Sequence, residues 1–169
     1  NSLGRLWVEG HPECGLKENW KYYLEEAQQE PEVQVKLAEI RKEYAALNPE
    51  DIKLIDPCMG SGHILVYAFD VLMQIYESAG YSQRDAAKSI LENNSHGTDK
   101  DDRAYQLAYF AVMMKARQYN RRILNGENTC HVYAIQESNS INRAHLKYFG
   151  AGMDDIEKNA AKMQLEGLL

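Results

Sequence analysis

In the stretch IDPCMGSGHIL, residues 55–65, an acid, a proline and two glycines stand between an apolar strand pattern and an apolar helix pattern. Glycine has no Cβ, so at Gly60 and Gly62 backbone amides can come close to a ligand, and the following helix start offers further unpaired N–H donors. Ser61 lies between them, and Pro57 follows Asp56. The spacing is neither G-x-G-x-x-G nor G-x-x-x-x-G-K-[ST], and the missing lysine counts against a phosphate-cradling loop. Asp56 at the strand tip argues the same way, because a carboxylate there repels phosphates and favours a cation or a hydroxyl. A nucleoside carrying positive charge suits this turn. The alternative is that the glycines only make a tight strand-to-helix connection.

A second acid, Asp99, closes the short segment SHGTD. At the tip of a second parallel strand, a carboxylate accepts hydrogen bonds from ribose hydroxyls. Its competing duty is to cap the helix that begins near Asp102, although Asp101 is better placed for that. At a third strand tip, Gln136 or Glu137 can reach the same cleft and meet an adenine amino group, or either can be an exposed loop residue.

These residues share a site only if the elements around them bring the strand tips together. From Asp51 onward the chain reads as strand (IKLI), glycine turn and helix (from His63 to near Gly80). A shorter helix at 83–93, the strand SHGTD, a helix from about Asp102 and a third strand, HVYAI at 131–135, follow. The second long helix should bury Ala104, Leu107, Ala108, Ala111 and Met114 along one stripe. Strands alternating with helices predict a parallel α/β sheet whose ligands bind beyond the carboxyl ends of the strands.

Residues 1–50 read as helices. Leu16, Trp20, Tyr23, Leu24 and Ala27 share one helical face; after Pro31, Val33, Leu37, Ile40, Tyr44 and Leu47 share another. A helical hairpin packed on the core is expected. The domain reading is therefore a helical segment at 1–50, a ligand-binding core at 51–137, and a tail or insertion at 138–169 with an amphipathic helix from about Asp154 to Glu166.

The composition narrows the partners. Of the 169 residues, 44% are hydrophobic and 26% charged, enough for one core. The net charge of −6 argues against a chain that grips nucleic-acid phosphates by itself. Lys115, Arg117, Arg121 and Arg122 form a basic cluster, read as a solvated helix end that favours the negative pole of the dipole. Cys14, Cys58 and Cys130 are scattered, which suggests neither a disulfide framework nor a metal site. No apolar run suggests a membrane span, and no leader is recognisable, so a reduced cytoplasm is the expected compartment.

DPCMGSGHIL resembles the first motif of the adenine-specific DNA amino-methyltransferases, D-P-x-x-G-S-G before an apolar helix. GTDKDDRAYQLAYFAVMMKAR resembles their second, G-x-D-x-D before an alanine- and leucine-rich helix. The similarity is to the large methyltransferases of phage-growth-limitation and bacteriophage-exclusion defence systems, and it covers roughly residues 1–140. It implies an incomplete Rossmann-like α/β sheet of a class I methyltransferase, preceded by a helical segment. It also implies S-adenosylmethionine as cofactor. Asp56, Pro57 and the Gly60–Ser61–Gly62 turn would meet the methionine part, Asp99 the ribose, and Glu137 the adenine. Lys100 stands where the family usually has an apolar residue on the adenine ring, and its aliphatic stem can cover that ring while its charge stays in water.

A larger departure is the absence of [DNS]-P-P-[YFW], the motif that in this family holds a flipped adenine. The prolines here, Pro12, Pro31, Pro49 and Pro57, are never adjacent. The expectation is a fragment of a larger enzyme, cut before its catalytic half. The intact enzyme would meet DNA mainly through other segments, with defence-system proteins as possible partners and no membrane. The rival readings are a methyltransferase acting on protein or a small molecule, and a degenerate protein-interaction module. His63, inside the turn, reads as a packed or solvated residue rather than a general base.

Overall fold

The structure, a computed structural model, describes residues 2–137 together with Lys158 and Asn159. The chain divides into two compact units, Asn1–Ile135 and Gln136–Leu169, and the first holds the sheet. The predicted helix at 154–166 falls largely outside the described residues; Lys158 and Asn159 within it are helical.

Strands β1 (Leu54–Asp56), β2 (Ser95–Asp99) and β3 (His131–Ala134) form a parallel sheet in the order β1-β2-β3, so the α/β class read from the sequence holds. The strands start and stop within two residues of their predicted positions. Asp56 pairs with Gly97, and Asp99 with Ala134. This register brings the tips carrying Asp56 and Asp99 side by side. The ladder runs one step past β3, because the Ile135 N–H donates to the Asp99 carbonyl at 2.7 Å.

The crossovers are helices α3 (His63–Ser78) and α5 (Asp102–Tyr119), which pack on each other and on β2. Alternation along the strands separates the two sheet faces. Gly97 lies against the α3 side chain Leu65, whereas Ile55 and Tyr133 are exposed. Leu65, Phe69, Leu72, Ile75 and Tyr76 of α3 are fully buried, each burial contributing about 1.5–3 kcal/mol for a large apolar side chain. Ile64 and Tyr67 stay exposed, so α3 is less enclosed than its composition predicts.

Between the crossovers, helix α4 (Gln83–Ser89), capped by Ser82, runs into a π-helical turn at Ile90–Asn94 that delivers the chain to β2. Asn94 is fully buried and donates to the carbonyls of Pro49 and Ile52, both at 2.7 Å, while its carbonyl accepts from the Tyr76 hydroxyl at 2.8 Å. A buried amide so satisfied ties the entry of β1 to the entry of β2.

The N-terminal part departs from expectation. Helix α1 spans Leu3–Gly10, but the face read at Leu16–Ala27 is helical only as a short 3-10 turn at Leu16–Asn19. Tertiary packing overrides helix propensity here. Trp20 is extended and buried, a Cβ on Gly4 would meet its ring at 2.4 Å, and its indole N–H donates to Gln74 on α3. The chain must leave helical geometry to seat that ring. Helix α2 (Pro31–Ala45) forms as predicted, yet none of its residues is buried, so its apolar stripe is not core. α2 packs on α1, where a Cβ on Gly10 would meet the Tyr44 backbone at 2.5 Å.

The stripe on α5 is also rotated from its predicted position. Ala108, Val112, Met113 and Ala116 are buried, whereas Leu107 is 54% exposed. Spacing alone could not choose between these faces; contact with the glycine turn does, as described below. Within the basic cluster, Lys115 is not a solvated charge. It pairs with Asp70 on α3 at 2.6 Å, and Tyr119 donates to the same carboxylate. Among the described residues, no helix is long and apolar enough to cross a membrane.

Candidate functional site

The turn after β1 is held to the tip of β2 by three hydrogen bonds. The Met59 N–H donates to the Thr98 carbonyl at 3.1 Å, the Thr98 hydroxyl to the Pro57 carbonyl at 3.1 Å, and the Gly60 N–H to Asp99 Oδ2 at 2.9 Å. The turn is then closed internally by the Gly62 N–H on the Met59 carbonyl at 2.8 Å. Asp56, Pro57, Gly60, Ser61, Gly62 and Asp99 are thereby brought together at the carboxyl ends of β1 and β2.

The two glycines do different work. Both have positive φ, +53° at Gly60 and +81° at Gly62, a region that disfavours any residue with a Cβ. A Cβ on Gly60 would meet nothing within 4 Å, so open space lies where a ligand can approach the backbone. A Cβ on Gly62 would sit 3.0 Å from the Ala108 Cβ and 3.1 Å from its Cα. Gly62 is therefore the contact that seats α5 against the turn, and it selects the buried face of that helix.

Asp56 is buried. Oδ1 accepts from the Cys58 N–H at 3.1 Å, while Oδ2 is buried with no hydrogen-bond partner. An unsatisfied buried acceptor costs about 1–3 kcal/mol. Asp99 also takes the Asp101 N–H on Oδ1 at 3.0 Å. The amides of Asp101 and Gly60, with smaller help from Lys100, hold its carboxyl below the usual carboxylate range. Asp99 does not cap α5; Asp101 does, accepting from the Arg103 N–H at 2.8 Å, as its position suggested. A carboxylate has about four acceptor positions, so the backbone amides that meet Asp99 leave room for a hydroxyl donor.

Lys100 is exposed at the bend after β2. Gln136 and Glu137 follow β3, are exposed, and belong to the second unit. His63, the first residue of α3, bonds through Nδ1 to the Ser61 hydroxyl at 2.9 Å. Its side chain is exposed, which fits the solvated reading.

Sequence reading alone passed over two contributors. Gly97 brings β2 against the turn, since a Cβ there would strike Leu65 at 2.6 Å and the Met59 sulfur at 2.7 Å. A glycine inside a strand is a signal of such close approach. Thr98, whose hydroxyl holds the Pro57 carbonyl, left no comparable signal.

The family model for "N-6 DNA Methylase" matches residues 32–164. The chain belongs to the N-6 DNA methylase family. It is 50% identical over 138 residues to the adenine-specific methyltransferase BrxX of Escherichia coli O9:H4 (strain HS), a match covering 82% of this chain and 11% of that protein. It is 48% identical over 163 residues to the adenine-specific methyltransferase PglX of Lacticaseibacillus casei (strain Zhang), covering 91% of this chain and 13% of that relative. A putative type II restriction enzyme and methyltransferase of Methanocaldococcus jannaschii is 35% identical over 65 residues, 35% of this chain and 6% of that protein. The chain thus spans roughly a tenth of the length of its two more extensive matches.

Proposed function

We propose that this chain is the S-adenosylmethionine-binding part of a DNA adenine N6-methyltransferase of the phage-defence type. The observation that carries the reading is the open space at Gly60, whose N–H is held by the Asp99 carboxylate of the neighbouring strand tip. The residues fit that cofactor. The unpaired Asp56 Oδ2 lacks a donor that a cationic methionine end can supply, and the remaining acceptor positions of Asp99 suit ribose hydroxyls. Lys100 would lay its stem along the adenine.

When bound, the cofactor supplies an activated methyl group to a nucleophile. The contribution of these residues is to fix its orientation, because transfer between two bound reactants depends chiefly on alignment. The family's [DNS]-P-P-[YFW] motif is absent from these 169 residues, so the base-holding half belongs elsewhere in a longer protein. That longer protein takes DNA as substrate, flips an adenine out of the stack and works beside other defence proteins.

Calorimetric titration with S-adenosylmethionine and with S-adenosylhomocysteine tests the reading, with Asp99→Ala as comparison. Saturable binding that Asp99→Ala abolishes is the expected result. A folded chain that binds neither compound refutes the assignment, and methylation of DNA by these 169 residues alone would refute the absence of a catalytic half.

A further inference from the structure

Cations from two separate elements line a cleft of about 330 Å³ beside the end of α5: Arg84 and Lys88 from α4, and Arg122 from the turn that follows α5. Asn120, a buried amide, joins the two stretches, donating to the Arg84 carbonyl at 3.4 Å and accepting from the Arg122 N–H at 3.1 Å. All three cations are exposed. Among the described residues neither arginine forms an ion pair, and Lys88 has only Glu92, at 3.9 Å. The two carboxylates that line the cleft are engaged by neighbours. Asp85 accepts from the Ser82 hydroxyl at 2.7 Å, and Glu127 from the Asn125 amide at 2.6 Å. Three cations against two carboxylates leave one positive charge in excess, on a chain whose net charge is −6.

Helix electrostatics does not account for this cluster. Lys88 lies in the last turn of α4, where a cation is favoured, but Arg84 lies in the first turn, where the dipole disfavours positive charge. We propose that the cleft is a phosphodiester site through which this chain holds one backbone phosphate of duplex DNA. A phosphodiester carries a single negative charge, which matches the excess, and a guanidinium presents paired N–H donors to two phosphate oxygens. The 18 residues of α5 separate this cleft from the Asp99 tip by about 27 Å at 1.5 Å per residue. A contact so far from the glycine turn reads no base. It fixes the position of the duplex and adds affinity that is independent of sequence.

The choice of DNA rests on the methyltransferase reading, and cofactor titration keeps the two apart. With the full 169-residue chain, fluorescence anisotropy of a labelled duplex is followed as salt is raised. Arg84→Gln with Arg122→Gln should weaken binding about tenfold at low salt, the effect of losing hydrogen bonds to a charged group. The same pair should flatten the slope of log affinity against log salt by about one. Lys36→Gln with Lys42→Gln removes equal charge from exposed positions on α2 and should change neither quantity. Equal weakening by both pairs reduces the effect to net charge and overturns the site, as does an unchanged salt slope in the arginine variant. Displacement of the duplex by millimolar inorganic phosphate at constant ionic strength would make the cleft a free-phosphate site and overturn the DNA assignment. A chain that binds S-adenosylmethionine but no duplex overturns this inference alone, and one that binds neither overturns both readings.

Discussion

Replacing each glycine of the turn by alanine separates the conformational requirement from the packing requirement. Both positions have positive φ, so both substitutions carry the left-handed penalty of about 1–2 kcal/mol. Only Gly62→Ala also drives a methyl group to 3.0 Å from the Ala108 Cβ and 3.1 Å from its Cα. The nearer obstacle includes helix backbone, which cannot swing aside as a side-chain end can, so overpacking adds about 1–3 kcal/mol. Gly60→Ala meets nothing within 4 Å and carries the first cost alone. Urea unfolding followed by tryptophan fluorescence should place Gly62→Ala below Gly60→Ala by about 1–3 kcal/mol at equal slope. Binding should reverse the order of interest: Gly60→Ala fills the space facing the ligand and loses S-adenosylmethionine while the fold persists. Equal destabilisation by the two substitutions would refute the assignment of Gly62 to helix packing. Undiminished binding by Gly60→Ala would refute the assignment of the open space to the ligand.

Two further outcomes follow from buried groups. Tyr76→Phe removes the donor to Asn94 and the bond to Ser89, and should cost about 1–3 kcal/mol in chemical unfolding. Burial pushes the Tyr76 phenol up from 10.0 to about 12, so its stabilisation is complete below pH 10 and is lost as pH rises toward 12; this alkaline loss should be absent in Tyr76→Phe. Burial likewise pushes the Cys130 thiol up to about 11, whereas Cys58 is exposed in the turn. Mass spectrometry after brief iodoacetamide treatment should therefore find Cys58 alkylated well before Cys130, and the reverse order would contradict the placement of both.

The sequence by itself determined the alternation of strands and helices, the position of the glycine turn, and the two acids at strand tips. Those features are local: a Gly-x-Gly between an apolar strand and an apolar helix is readable because conformational freedom and hydrophobic period are properties of short segments. Asp101 as the cap of α5 was legible for the same reason, since capping depends on a residue's own neighbours in the chain.

Only the tertiary structure decided which partner each of these residues meets. It set Gly62 against Ala108, and it turned α5 so that Leu107 faces outward. It drew Trp20 out of a helical pattern to cover Gly4, and it left the apolar stripe of α2 outside the core. It joined Asp99 to the Gly60 amide across 39 residues of chain and left Asp56 Oδ2 without a donor. Periodicity specifies that a face is apolar, but not what covers it. That choice depends on the close packing of elements distant in sequence, where a single Cβ at 3 Å or less can decide which faces meet.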